Sequence, residues 1–286
     1  MKQKISAIIE LCRPAHYYKN LLIFLALFFS GNLLNLNDVA IVLLGFVSLS
    51  LMSSVNYIIN DTLDKKNDRK NSEKSRRPIA SGRVTTGESL VVAFVLFAVS
   101  CILAYALGIY FFAALILLFS LSTIYSLFLK KEIFLDIIVI SVNFVIRALS
   151  GALLINVWIS PWLIIGTFFL AMFLAAGKRK SEMIFLRKKA GSHRFVLYRY
   201  SDEILNLLFG ITTTALFLSY ALYCFLGNNE RLLITLPIVF YALLRYVYLT
   251  YSGSDKTRST DRIFYDGRIL MSIILYLIIT FILLYY

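Results

Sequence analysis

Asn60, Asp61, Asp64 and Asp68 stand in the pattern Asn-Asp-x-x-Asp-x-x-x-Asp, where an apolar run gives way to a charged one. If the helix continues for two turns, the aspartates at i, i+3 and i+7 fall within an arc of about 60° on one face. Carboxylates stacked in this way repel one another unless a cation joins them. An all-oxygen donor set suits Mg²⁺, which commonly bridges one or two carboxylates and the oxygens of a substrate diphosphate. Asn60 adds a neutral polar group on the flank, and Lys74, Arg76 and Arg77 follow closely enough to hold phosphate charge that the metal leaves unneutralised. The competing reading is a solvated linker with intrahelical pairs such as Asp61–Lys65.

Two further groups carry charge into apolar surroundings. Asp136, Asn143 and Arg147 are spaced by seven and four, so they form one polar stripe on an otherwise apolar helix and should face the interior of a bundle. Asp136 lies near one end of the stripe. Arg147 lies about 16 Å deeper at 1.5 Å per residue, where it either serves function or pairs internally with an acid such as Asp136. Arg245 is likewise set within an apolar run. The segment Gly177-Lys178-Arg179-Lys180-Ser181-Glu182 has one acid among three cations. His16 and His193 stand in no ligand spacing, and the three cysteines, Cys12, Cys101 and Cys224, are far apart and read as small packing residues.

The elements that must position these groups are membrane spans. Of the 286 residues, 59% are hydrophobic and 16% charged, too apolar for one soluble core and well suited to a bilayer. Nine apolar runs fall at roughly 18–36, 39–60, 88–107, 109–129, 133–155, 160–177, 203–226, 232–250 and 267–286. The expectation is an all-α integral membrane protein, a bundle of nine transmembrane helices forming a single polytopic domain over 1–286. Its long linkers are 61–87, 178–202 and 251–266. The N-terminal segment, broken by Glu10, Arg13 and Pro14, reads as an amphipathic interfacial helix and not a cleaved signal.

The net charge of +13 is concentrated in the N-terminal segment, at Lys130 and Lys131, and in the three long linkers, whereas the opposite connections hold only Arg231. With nine spans every basic linker lands on one side. The positive-inside rule then predicts a cytosolic N-terminus, cytosolic linkers and an external C-terminus in the cytoplasmic membrane. The basic excess is thereby accounted for without nucleic acid.

The chain resembles the UbiA superfamily of intramembrane prenyltransferases, whose first signature is the Asn60-to-Asp68 pattern. The resemblance implies a nine-span helical fold with Mg²⁺ and an active site opening to the cytosol. Further segments look like one branch of that superfamily, the decaprenyl-phosphate phosphoribosyltransferases. They are Arg13-Pro14 with Tyr18-Lys19-Asn20, Arg76-Arg77-Pro78-Ile-Ala-x-Gly82, Tyr125-Ser126 with Lys130, Asp136 and Arg147, Gly177-Lys178-Arg179-x-x-Glu182, and Arg245-Tyr246. Asp266, at the start of the last run, resembles an acid of the same branch, though a helix N-terminal acid would look alike.

That branch moves 5-phosphoribose from phosphoribosyl diphosphate to a polyprenyl phosphate, in cell envelope biosynthesis. Aromatic prenyltransferases of the superfamily carry a second aspartate-rich motif where this chain has Lys178 to Glu182. A site that exchanges carboxylates for cations suits a second anion, such as a lipid phosphate, better than a second metal.

The resemblance thus implies Asp61 and Asp64 in catalysis with Asp136, and Asp61, Asp64 and Asp68 at Mg²⁺. Substrate contacts are expected from Lys19, Asn60, Lys74, Arg76, Arg77, Lys130, Arg147, Lys178, Arg179 and Glu182. The implied partners are a diphosphate donor, a polyprenyl lipid and the surrounding membrane lipids, and a homo-oligomer is compatible with all of this. The runner-up is transfer of a prenyl group to an aromatic acceptor such as 4-hydroxybenzoate. A transporter built around Arg147 and Arg245 would carry paired repeats or broken helices in matched positions, which the sequence does not display.

Overall fold

The computed structural model describes residues 2–71, 74–188, 200–227, 230–258 and 262–286. His193, Arg199 and Asp261 lie outside the described residues, as does the part of the second long linker at 189–199. Every regular element among the described residues is helical. Among the described residues eight helical segments are long and apolar enough to cross a membrane, which makes the chain a multi-pass membrane protein. The chain forms two compact units, Met1–Phe128 with Ile146–Trp158, and Leu129–Val145 with Ile159–Tyr286.

In the first unit α1 (Lys2–Cys12) leads into a 3₁₀ helix, Pro14–Ile23, then α2 (Phe24–Phe29) and a 3₁₀ turn, Asn32–Leu34. This corrects the expectation of nine single helices, because the run at 18–36 is not one helix. Pro14 starts the 3₁₀ stretch, and Gly31 at φ 79° breaks the chain after α2. By length alone the stretch is close to the thickness of a bilayer core. At about 2 Å per residue the ten 3₁₀ residues span about 20 Å, and the six of α2 add about 9 Å.

α3 (Leu36–Leu63) runs back alongside it. The antiparallel register can be followed by contact: Arg13 meets Asp61, the Tyr17 hydroxyl lies 2.8 Å from Ser54 Oγ, and Asn20 Nδ2 lies 3.1 Å from Ser50 Oγ. Near the other end, the Phe24 and Phe46 ring centroids are 5.9 Å apart.

Close packing in this unit relies on small residues, as expected where lipid removes the hydrophobic drive between helices. On α5 (Thr86–Leu107) Ser100 exchanges hydrogen bonds with Ser48 of α3: Ser48 Oγ donates to the Ser100 carbonyl at 3.0 Å and Ser100 Oγ to the Ser48 carbonyl at 2.8 Å. Gly151, in the later half of α7 (Leu135–Ile155), lies against the Ile23 backbone. A Cβ there would sit 1.9 Å from the Ile23 carbonyl oxygen. α6 (Ile109–Leu127) completes the unit, and α5 opens with a Thr85–Glu88 capping box.

The second unit holds the earlier half of α7, α8 (Pro161–Lys188), α9 (Asp202–Leu226), α10 (Leu236–Tyr251) and α11 (Gly267–Tyr285). α8 continues well past residue 177, so Lys178 to Glu182 lie on a helix and not in a linker. The core is aromatic. Phe173 stacks on Phe209 with centroids 5.1 Å apart and packs against Tyr246 at 4.8 Å. The Tyr246 ring lies over Gly177, where a Cβ would come within 2.5 Å of it.

Candidate functional site

In the first unit charged residues gather where α3 ends. Asp64 caps α3, its N–H donating to the Asn60 carbonyl at 2.9 Å, and α4 (Lys65–Lys70) takes up the chain one residue later. The acidic stretch is therefore helical for two turns with a break at Asp64. Asp61 and Asp68, exposed by only 3% and 2%, converge on one cation. Arg77 Nη1 lies 3.0 Å from Asp61 Oδ1 and 2.7 Å from Asp68 Oδ2. Arg13 Nη2 donates to both Asp61 oxygens at 2.6 and 2.7 Å, and Lys74 Nζ stands 3.7 Å from Asp68. The Asp61–Lys65 pair of the solvated-linker reading does not form, since Lys65 Nζ donates to Thr86 Oγ1 at 2.9 Å.

Arg13 is held here by strain as well as by charge. It precedes Pro14 and adopts φ 51°, a left-handed conformation that costs about 1–2 kcal/mol for a residue with a side chain. Its guanidinium carbon lies 5.1 Å from the Tyr57 ring centroid. Arg76 is exposed, and its carbonyl accepts from Arg83 at 2.6 Å. Asn60, Asp64, Lys19 and Lys74 are half-buried.

The donor chemistry at this point fits a hard divalent cation. Two carboxylates already reach a common positive centre, and no sulfur or imidazole ligand is involved. Among the described residues no group of three or more His, Cys, Asp and Glu could hold a metal ion by itself. The protein contribution is then two converging acids, which suits Mg²⁺, because that ion usually completes its shell with water and substrate phosphate oxygens.

Deeper in the same unit, Arg147 Nε donates to Asn20 Oδ1 at 2.9 Å, and Asn20 is tied by its amide to Ser50 and Ser53 at 3.1 and 3.3 Å. The α7 stripe is thus divided. Arg147 belongs to this polar network, while Asp136 belongs to the second unit, where it is fully buried.

Asp136 Oδ1 accepts from the Tyr200 hydroxyl at 2.7 Å, and Oδ2 from Arg179 Nε at 3.0 Å. Arg179 Nη1 also reaches Glu182 at 3.3 Å, and Lys180 pairs with Asp202. Asp136 is thus fully buried with both carboxylate oxygens engaged. Lys178 and Lys130 are half-buried in this unit. Sequence reasoning missed Arg13 as the partner of Asp61, and it missed Tyr200 altogether. The Arg13-Pro14 pair was a usable signal for the first; the second left none, being 64 residues from Asp136.

These features define an all-helical, multi-pass membrane protein with acids and arginines massed at helix ends. The profile of the UbiA prenyltransferase family matches residues 21–284. The chain belongs to that family and is a membrane-bound transferase. It is 30% identical over 239 residues to a decaprenyl-phosphate phosphoribosyltransferase of Mycolicibacterium smegmatis, covering 82% of this chain and 75% of that one. A protein of the same name from Mycobacterium tuberculosis is 28% identical over 225 residues, covering 77% and 74%. The structure of a UbiA homolog from Archaeoglobus fulgidus bound to GPP and Mg²⁺ shares the fold, with a TM-score of 0.74 at 20% identity over 98% of this chain and 100% of that one.

Proposed function

We propose that the chain transfers 5-phosphoribose from phosphoribosyl diphosphate to a polyprenyl phosphate. The bond from ribose C1 to the diphosphate oxygen breaks, diphosphate leaves with the electron pair, and an oxygen of the lipid phosphate forms the new bond to C1. That oxygen is anionic at neutral pH, so the step needs no strong general base. Asp61 and Asp68 would hold Mg²⁺, and Asp64, the middle acid of the motif, is assigned to the same ion. The ion supplies charge that stabilises the departing diphosphate. Asn60, Lys74, Arg76 and Arg77 bind and orient diphosphate oxygens from the same helix end, and Lys19, Lys130 and Arg147 are assigned to further substrate contacts.

The observation that carries the choice of acceptor is Arg179. It stands on α8 with Lys178 and Glu182, where prenyl-transferring relatives in the superfamily place an aspartate-rich motif, and the buried Asp136 carboxylate fixes its guanidinium. A guanidinium held in one plane suits a phosphate. The names of the relatives that cover three quarters of their own length support the same reading. We place the protein in the cytoplasmic membrane, with the N-terminus and long linkers cytosolic and the C-terminus outside, on the asymmetry of Lys and Arg.

The test uses purified protein, Mg²⁺, labelled phosphoribosyl diphosphate and a polyprenyl phosphate, beside a prenyl diphosphate with 4-hydroxybenzoate. Labelled phosphoribosyl lipid is expected in the first mixture, and Asp61→Ala and Asp64→Ala should abolish it in a protein that still folds. Product only in the second mixture, or full activity in either variant, overturns the reading.

A further inference from the structure

Tyr200 sits two residues before α9 and is 3% exposed. Its hydroxyl is used twice. The Phe134 backbone N–H donates to it at 2.9 Å, and it donates in turn to Asp136 Oδ1 at 2.7 Å. Phe134 adopts φ 67°, left-handed for a residue with a bulky side chain, and its ring meets the Tyr200 ring edge-on at 5.9 Å. The strained turn that opens α7 is therefore held from outside by one phenol.

A phenol has a single proton to give. With the Phe134 N–H on its oxygen, that proton goes to Asp136 Oδ1, and the carboxylate is turned so that Oδ2 faces Arg179 Nε at 3.0 Å. Burial and the adjacent carboxylate push the phenol above its ordinary range, so it stays a donor at every physiological pH.

We propose that Tyr200 is a positioning residue for acceptor recognition: through Asp136 it sets the plane of the Arg179 guanidinium for the phosphate of the polyprenyl acceptor. The proposal rests on the phosphoribosyl-transfer reading and deepens it. A tyrosine that only filled the core would need the ring but not the hydroxyl. Loss of the hydroxyl leaves a buried N–H and a buried carboxylate oxygen each short of a partner, and the carboxylate is then free to rotate away from Arg179.

The test is Tyr200→Phe, which keeps the ring. The Kd of polyprenyl phosphate, measured by equilibrium binding to the purified protein, and its KM are expected to rise about tenfold, the effect of one lost buried hydrogen bond. The KM for phosphoribosyl diphosphate should stay within about twofold. Arg179→Ala should produce a similar rise, and the double variant no further one, since both act on the same contact. Unchanged acceptor affinity in Tyr200→Phe overturns the proposal. So do equal losses for donor and acceptor, or additive effects in the double variant, which mark a merely structural role. If wild-type protein makes no phosphoribosyl lipid, the functional reading fails at that point, before any variant is compared.

Discussion

Each buried acid at a helix end meets more than one donor, and Asp266 has a stability role that can be read directly. Asp266 caps α11 by accepting from the Ile269 N–H at 3.2 Å, and it also accepts from Arg245 Nη2 at 3.0 Å and Lys256 Nζ at 3.1 Å. Arg245, conspicuous in the sequence as a cation within an apolar run, thus has its partner at the start of the next helix. The Arg245 contact, reinforced by Lys256 and the Ile269 N–H, holds the Asp266 carboxyl well below the usual carboxylate range despite its burial. A depressed acid contributes stability at pH values above its unfolded value, near 4, and that contribution is lost as pH falls through the lower folded value. Asp266→Asn should cost about 1–3 kcal/mol at pH 7. Thermal unfolding in detergent, measured from pH 7 downward, should show the wild-type advantage shrinking only below about pH 4. An advantage that vanishes between pH 7 and 5 would assign it to another group. At this scale spacing revealed Asp61, Asp64 and Asp68, because neighbours on a helix are neighbours in sequence. Arg13 and Tyr200 were not legible as partners, since 48 and 64 residues separate them from the acids they hold.

At the scale of elements, seven of the nine apolar runs are single helices among the described residues, and the geometry of two was missed, the runs at 18–36 and 232–250, each a 3₁₀ helix followed by an α-helix. A run of apolar residues does not distinguish an α-helix from a 3₁₀ helix followed by a short α-helix, because both bury the same atoms. The continuation of α8 past residue 177 was hidden for a related reason: the charged residues that suggested a linker sit on a helix that simply goes on. Gly151 has the clearest element-scale role. Its substitution by Ala places a methyl group 1.9 Å from the Ile23 carbonyl oxygen, so two backbones must separate. We expect Gly151→Ala to lower stability by roughly 1–3 kcal/mol, as overpacking does. Gly166→Ala on α8, whose Cβ would lie 3.5 Å from Ser219 Oγ, should be neutral or slightly stabilising. Melting temperatures of the two variants in the same detergent provide the check, and equal shifts would remove the special status of Gly151.

For the whole molecule the testable quantity is the number of crossings. If the 14–34 stretch crosses, the N-terminus lies on the side of the basic linkers; if it does not, the two lie on opposite sides. A green fluorescent protein fused ahead of Met1 should fluoresce in bacterial cells, and a dark fusion on a chain that still inserts would rule out nine crossings. The mixed first segment also bears on how the protein enters the bilayer during synthesis. Lys19 and Asn20 lie within it, and a central lysine alone costs about 2.5–3.5 kcal/mol in translocon-mediated insertion. The Asn20 amide finds Ser50 and Ser53 only after α3 has been made. The first segment should therefore wait for the second and be inserted with it as a hairpin. A nascent chain truncated after Asn35 should remain extractable by alkali, and one truncated after Leu63 should resist extraction; stable insertion of the shorter chain would show that the segment enters alone.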